Sequence, residues 1–237
     1  MSHLHRFHVP PDTADTDILA LPEGEAHHAL RVARLKPGET VEVFDGAGRI
    51  WRGAFEVAGK REAAIHIVER TVAPPPSPHC TLLVAALHRP GAIEELLRRG
   101  TEVGVTRFVF FRARRSERLP KQEAKWERIL VEVCKQCGRN WLPNIELIEE
   151  PLKVIAAHAG TAYIAAMTPE AQAVDSVEVT GDLLLAVGPE GDFTCEEIAA
   201  FTGAGARPIT LGAYTYRSEV AAVLGATLLL QRAGAFA

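Results

Sequence analysis

The stretch DLLLAVGPEGDFTCEE, residues 182–197, decides the fold. From Leu183 to Val187 every side chain is apolar, so the segment reads as a strand buried on both faces. Gly188-Pro189 stops it abruptly. Thr194, followed three residues later by Glu197, matches a capping box and predicts a helix that begins just after Thr194. A doubly buried strand, a tight turn and a capped helix make one unit of an α/β sheet.

Working outward, the same unit recurs. Strand-like apolar runs occupy 80–87, 107–111, 144–149, 161–167 and 207–212, and helical stretches fill roughly 91–103, 121–138, 151–159 and 194–203, with a last one at 217–233. Continuous apolar strands separated by helices give an α/β fold class with a parallel sheet covered on both faces. Such sheets bind ligands at the carboxyl ends of their strands. The Gly188–Gly191 turn lies at one such end, and LGAYTYRSE (211–219) lies at the next.

The run VAPPPSPHC (72–80) marks a boundary, because consecutive prolines can continue neither a helix nor a central strand. It divides the chain into 1–72, a proline-rich linker at 73–79, and 80–237. Before the boundary come β-type segments at 40–45, 50–57 and 63–70, a Gly-rich turn at 45–49 and one short helix at 24–35. These describe a small β-barrel of about 70 residues, a common size for a binding module.

The chain has 237 residues, 47% hydrophobic and 24% charged, as expected of a soluble protein with a real core. The longest apolar run, AAVLGATLLL (221–230), is too short to span a bilayer. The N-terminal MSHLHRFHVPPD has no signal core, and four cysteines show no disulfide framework, so a cytoplasmic location is expected. A net charge of −4 argues against indiscriminate polyanion binding. The charge is uneven, however: 112–128 holds seven Lys/Arg against three Glu, whereas 146–197 holds eleven Asp/Glu against Lys153 alone. A basic segment in an acidic protein can steer one polyanion, or it can simply be a solvated helix face. Cys134 and Cys137 lie within a helical stretch with no second ligand pair, which favours packing over zinc or redox use. His3, His5 and His8 alternate as on a strand with no metal implied, and the sequence does not decide what His27 and His28 face.

Gly188 and Gly191 allow a ligand to approach the main chain closely. Their spacing matches neither the dinucleotide fingerprint nor the phosphate loop, and no lysine follows. Glu190 would repel phosphate, so a ligand here is cationic or neutral; a turn that serves only to start the helix explains the residues equally well. Arg217 and Glu219 follow Gly212 at the start of a helix apolar on nearly every side, which calls for a large covering surface such as a second subunit. The two charges can equally be a plain ion pair.

VGPEGDFTCEEI followed by TLGAYTYRSEVAA resembles the paired signature of the RsmE family, ribosomal RNA uridine-N3 methyltransferases of the SPOUT superfamily. The resemblance continues in RRGTEVGVTRFVFFRARRSER (98–118), KWERILVEVCKQCGRNWLPNI (125–145) and, at the N-terminus, HRFHV and HHALRVARLKPGE. Tyr214, Thr215 and Tyr216 stand where the family has Arg, Ile and Leu, Val220 where it has Thr, Arg99 where it has Lys, and Asp192 where it has Gly.

The resemblance implies a SPOUT domain with a deep trefoil knot, a PUA-like N-terminal barrel, and a homodimer that uses S-adenosylmethionine to methylate 16S ribosomal RNA in the small subunit. It places the cofactor against the backbone of Val187, Gly188, Gly191, Leu211 and Gly212, with Glu190 in the same turn, the Tyr216 side chain, and Ala166 and Met167 as a third wall. Arg217 and Glu219 are the catalytic candidates, Arg217 for the charge on the uridine ring and Glu219 to orient it or move the proton. Arg6, Arg31, Arg34, Arg112, Arg114, Arg115 and Arg139 are the expected RNA contacts. Two other readings stay open: a SPOUT enzyme acting on ribose 2′-oxygen or transfer RNA, and an idle RNA-binding protein on the same fold.

Overall fold

The computed structural model describes residues 4–116, 119, 121 and 124–236. The chain forms two compact units, Met1–Pro75 with Val131–Leu142, and Pro76–Leu130 with Pro143–Ala237. The segment 131–142 therefore goes with the N-terminal unit, whereas a division at the prolines leaves it in the other. His3 and part of the basic run (Glu117, Arg118, Pro120, Gln122 and Glu123) lie outside the described residues.

In the N-terminal unit, β1 (His5–His8), β2 (Ile18–Ala20), the helix α1 (Glu23–His27), β3 (Thr40–Phe44), β4 (Arg49–Val57) and β5 (Ala63–Val72) follow in order. The sheet order is β1-β3-β4-β5-β2, with β1 parallel to β3 and the other pairs antiparallel. Phe7, Val41, Val43, Trp51, Phe55 and Ile65 alternate inward and form its core with Ala26 and Ala29. The helix expected at 24–35 does not stay regular: α1 passes into a π-helix at His28–Ala33, which ends at Arg34 in the left-handed region, φ 54°.

The second unit carries β6 (Cys80–Ala85), α2 (Pro90–Val103), β7 (Arg107–Phe111), α3 (Ala124–Cys137), β8 (Asn144–Ile148), α4 (Pro151–Ala156), β9 (Thr161–Ala165), β10 (Gln172–Ala173), β11 (Leu183–Val187), α5 (Cys195–Gly203), β12 (Arg207–Thr210) and α6 (Ser218–Arg232), the last turns of α3 excepted. Its seven strands are all parallel, in the order β10-β12-β9-β11-β6-β7-β8. β11, the strand in the opening quotation, is central and fully buried, as an unbroken apolar run requires. Thr194 caps α5: its hydroxyl accepts from the Glu197 amide, while the Glu197 carboxylate accepts from the Thr194 amide. α6 lies on β6 and β11 and packs against α2. That approach is close because Gly225 has no side chain; a Cβ there would meet Leu185 Cδ2 at 2.5 Å. No helix among the described residues is long and apolar enough to cross a membrane.

Candidate active site

A cavity of about 340 Å³ opens at the carboxyl ends of β9, β11 and β12, where parallel sheets place their ligands. Its volume falls within the range of small-molecule sites. Of the residues expected to hold a cofactor, Ala166, Met167, Val187, Gly188, Glu190, Leu211 and Tyr216 line it, and so does Arg217. Gly191 and Gly212 are not among the lining residues, and each has another task. The Gly191 carbonyl accepts from Arg115 Nη1 at 3.0 Å. Gly212 has φ 138°, which turns the chain from β12 toward α6 and which a side chain would strain.

The turn after β11 is fixed by its own hydrogen bonds. The Asp192 amide donates to the Pro189 carbonyl at 2.9 Å, and Asp192 Oδ1 accepts from the Phe193 amide at 2.7 Å. Asp192 has φ 60°, which explains why a glycine suits this position and why aspartate, tolerant of that region, can replace it. Glu190 Oε1 accepts from the His88 amide at 3.0 Å, tying the turn to the end of β6. Beyond the turn, Glu197 Oε1 also accepts from the Arg114 amide at 2.8 Å, so the capping residue of α5 anchors the basic loop as well. The neighbouring Glu196 carboxyl is held below the ordinary carboxylate range by its own amide and then by the Thr194 hydroxyl.

Arg217 is the N-cap of α6, exposed, with no side-chain hydrogen bond or ion pair among the described residues. A cation at the positive end of a 15-residue helix, with no carboxylate bonded to it among the described residues, is electrostatically disfavoured. The obvious partner is engaged elsewhere: Glu219 is 91% buried, does not line the cavity, and accepts from Arg89 Nη2 at 3.0 Å. The expected Arg217–Glu219 pair is therefore replaced by Arg89–Glu219, with Glu219 Oε2 buried and unpartnered. Sequence reasoning missed Arg89; its signal was its place just beyond the carboxyl end of β6. It also missed Pro189, Asp192, Thr210, Tyr214, Thr215 and Ser218 in the wall. Tyr214 and Thr215, where the sequence departs from the RsmE pattern, face the cavity, and Thr215 Oγ1 lies 3.6 Å from Met167 Sδ. Arg99 pairs with Glu95 and Glu102 along α2.

The expected RNA contacts separate into two groups. Arg6 is held within its own unit: its side chain is 10% exposed and donates to Glu42 (2.7 Å), the Cys134 carbonyl (2.6 Å), the Arg139 carbonyl (3.3 Å) and Asn140 Oδ1, over the Phe44 ring. A strand position with this many partners is internal. Arg139 is half-buried in the same turn and is not free. Arg31, Arg34, Arg112, Arg114 and Arg115 are exposed. Among the described residues no group of three or more His, Cys, Asp or Glu is placed to hold a metal. Cys134 is buried and Cys137 exposed, both free, and burial pushes the Cys134 thiol up to about 12.

One unit holds a cavity at parallel strand ends, the other is a small β unit, and comparison with known proteins gives the class. The family model of an RNA methyltransferase domain matches residues 75–230, and that of an RNA methyltransferase PUA domain matches 21–68. The chain is 30% identical over 224 residues to the ribosomal RNA small subunit methyltransferase E of Mycobacterium bovis, covering 89% of this chain and 85% of that one. It superposes on a probable rRNA-methyltransferase from Porphyromonas gingivalis with a TM-score of 0.88 at 27% identity, covering 99% and 100% of the two chains. A ribosomal RNA small subunit methyltransferase E from Neisseria gonorrhoeae, solved bound to S-adenosyl methionine, gives 0.84 at 25% identity, with 97% and 98% covered. The chain is an RNA methyltransferase and belongs to the ribosomal RNA small subunit methyltransferase E family.

Proposed function

We propose that the protein transfers the methyl group of S-adenosylmethionine to N3 of a uridine in 16S ribosomal RNA of the small subunit, as a cytoplasmic homodimer. The observation that carries this is the unpaired Arg217 on the wall of the cavity at the carboxyl ends of β9, β11 and β12. The cavity fits the cofactor: apolar strand ends and the Tyr216 ring offer a bed for a nucleoside, and Glu190 and Asp192 suit a cation and repel a phosphate. When bound, the cofactor supplies an electrophilic methyl group on a sulfonium. The knotted path of the chain around the cavity belongs to the same reading.

The chain's own residues then do three things. The walls fix the reacting geometry, which supplies much of the rate of an in-line displacement. Loss of the N3 proton to solvent leaves an anion delocalised onto the ring oxygens, and Arg217 with the positive end of α6 stabilises it. Glu219, committed to Arg89, acts as a positioning residue, holding the starts of α2 and α6 together. The dimer rests on α6, whose Val220 is 46% exposed and whose Val223, Leu224 and Leu228 are only partly covered.

Calorimetry with S-adenosylmethionine, followed by transfer of its labelled methyl group to small-subunit RNA, tests the reading. One site per chain and label on a uridine base support it; label on ribose or on transfer RNA favours the sister SPOUT activities, and binding without transfer favours an idle RNA-binding protein.

A further inference from the structure

The N-terminal unit sorts its cations into two kinds. Five are ion-paired: Arg6 with Glu42, Arg49 with Asp45 at 2.7 Å, Arg52 with Glu42 at 3.0 Å, Arg70 with Asp15 and Asp17 at 2.9 and 2.7 Å, and Lys135 with Glu25 at 3.0 Å, whereas Arg34 and Lys36 are exposed with no ion pair among the described residues. Arg31, Lys60 and Arg61 are unpaired as well, but grouped. All three are exposed, and none has a side-chain hydrogen bond or ion pair among the described residues. They line a single cleft of about 600 Å³, together with His27, Leu30 and the one carboxylate Glu23. Two elements bring them together. Lys60 and Arg61 sit at the tip of the turn between β4 and β5, which Ala58 and Gly59 close by donating to the Glu62 carbonyl at 3.1 Å each. Arg31 stands on the π-helix that follows α1.

Three unpaired cations around one cavity repel one another, whereas five other cations of this unit have a carboxylate beside them. The backbone is also unusual here, since Arg31 rides on an irregular helix that ends at Arg34 in the left-handed region. Irregular turns of this kind concentrate at functional sites. Among the described residues the wall holds no Phe, Tyr or Trp on which a base can stack, and no Asn or Gln to read a base edge. Such a lining suits phosphate oxygens and carries little base information.

We propose that this cleft grips the phosphodiester backbone of the substrate RNA through Arg31, Lys60 and Arg61, as a docking contact independent of sequence. It rests on the reading of the chain as an RNA methyltransferase and adds Lys60 and Arg61, which no motif marks. It also moves the RNA contact of this unit from Arg6 to the cleft.

The test uses the full chain and transcribed small-subunit ribosomal RNA, with affinity measured at several salt concentrations for wild type, the triple variant Arg31→Ala/Lys60→Ala/Arg61→Ala, and Glu23→Gln. Each lost phosphate contact lowers the log–log salt slope by about 0.7–0.9, so three lower it by roughly 2 and weaken binding about 100-fold near 0.1 M salt. Melting temperature and S-adenosylmethionine affinity stay at wild-type values, and Glu23→Gln, which removes the only negative charge of the wall, binds RNA more tightly. A triple variant that melts like wild type and binds RNA with the same affinity and slope overturns the cleft, even though the wild type methylates that RNA. A wild type that neither binds the cofactor nor transfers a methyl group overturns instead the reading on which the cleft rests, and the cleft with it.

Discussion

Replacing Arg6 with alanine removes a guanidinium that is 10% exposed and that donates to one carboxylate, two carbonyls and one side-chain amide oxygen. Deleting one partner of a buried ion pair costs about 3–5 kcal/mol, because the group left behind stays desolvated. Glu42 keeps a second partner in Arg52, at 3.0 Å, so the carboxylate is not stranded and the lower end, roughly 3 kcal/mol, applies. The Cys134 carbonyl also keeps a partner, the Gly138 amide at 3.1 Å, so the acceptors that lose Arg6 outright are the Arg139 carbonyl and Asn140 Oδ1, at about 1–3 kcal/mol each. For a unit of under about 100 residues, 1 kcal/mol shifts the melting temperature by about 4–8 °C, so a fall of at least 12 °C is expected if this unit melts on its own. Differential scanning calorimetry of wild type and Arg6→Ala, with RNA affinity measured well below both transitions, is the assay. A variant that melts within about 2 °C of wild type but binds RNA more weakly, with a shallower salt dependence, would refute the internal assignment and restore Arg6 to the RNA surface.

Three further outcomes are expected. Arg217→Ala lowers the turnover number by about 10²–10³, the usual loss for one donor aimed at a developing oxyanion, while cofactor affinity changes less than about twofold; near-normal turnover would remove Arg217 from the chemistry. His8 has a buried, unpartnered Nε2, and burial holds its imidazole below the ordinary 6.5. The unfolded chain then takes up the proton first, so the stability tied to neutral His8 is present above pH 6.5 and is lost as pH falls from there toward the folded value. Wild type should therefore lose stability more steeply than His8→Phe between about pH 7 and 5, and parallel profiles would contradict this. Iodoacetamide on the native protein should label the exposed Cys137 and Cys195 and spare the buried Cys80 and Cys134, whose thiol is pushed up to about 12; prompt alkylation of Cys134 would revive a reactive Cys134–Cys137 pair.

The central sheet was legible because β6, β7, β9 and β11 are short, mostly apolar runs bounded by turn residues, too short for helices. The capping box gave the start of α5 to the residue, since Thr194 and Glu197 act within one turn. β2 and β10 were not legible, because three and two residues are too few to show a period. Helical periodicity located α3 but could not say that its last turns, from Val131, join the N-terminal unit; that depends on which core each face meets. Strand ends located the cavity, and Arg217 followed from them. Contacts distant in sequence were the blind spot. Glu219 takes Arg89 across 130 residues where the sequence offered Arg217 as its partner, and Arg6, expected on the RNA surface, reaches residues 128 to 134 positions away. The cation cleft was half visible, with Arg31 in a helix but Lys60 and Arg61 hidden in a short turn.

Mass-spectrometric mapping of the RNA after incubation of small ribosomal subunits with the protein and S-adenosylmethionine carrying a deuterated methyl group tests the account most directly. The subunits should come from cells without the protein, so that its target is unmodified. The account predicts one deuterated methyl group on N3 of a single uridine in the 16S RNA, absent with Arg217→Ala. A methyl group on a ribose oxygen, on another base atom or on no small-subunit nucleotide at all would contradict it.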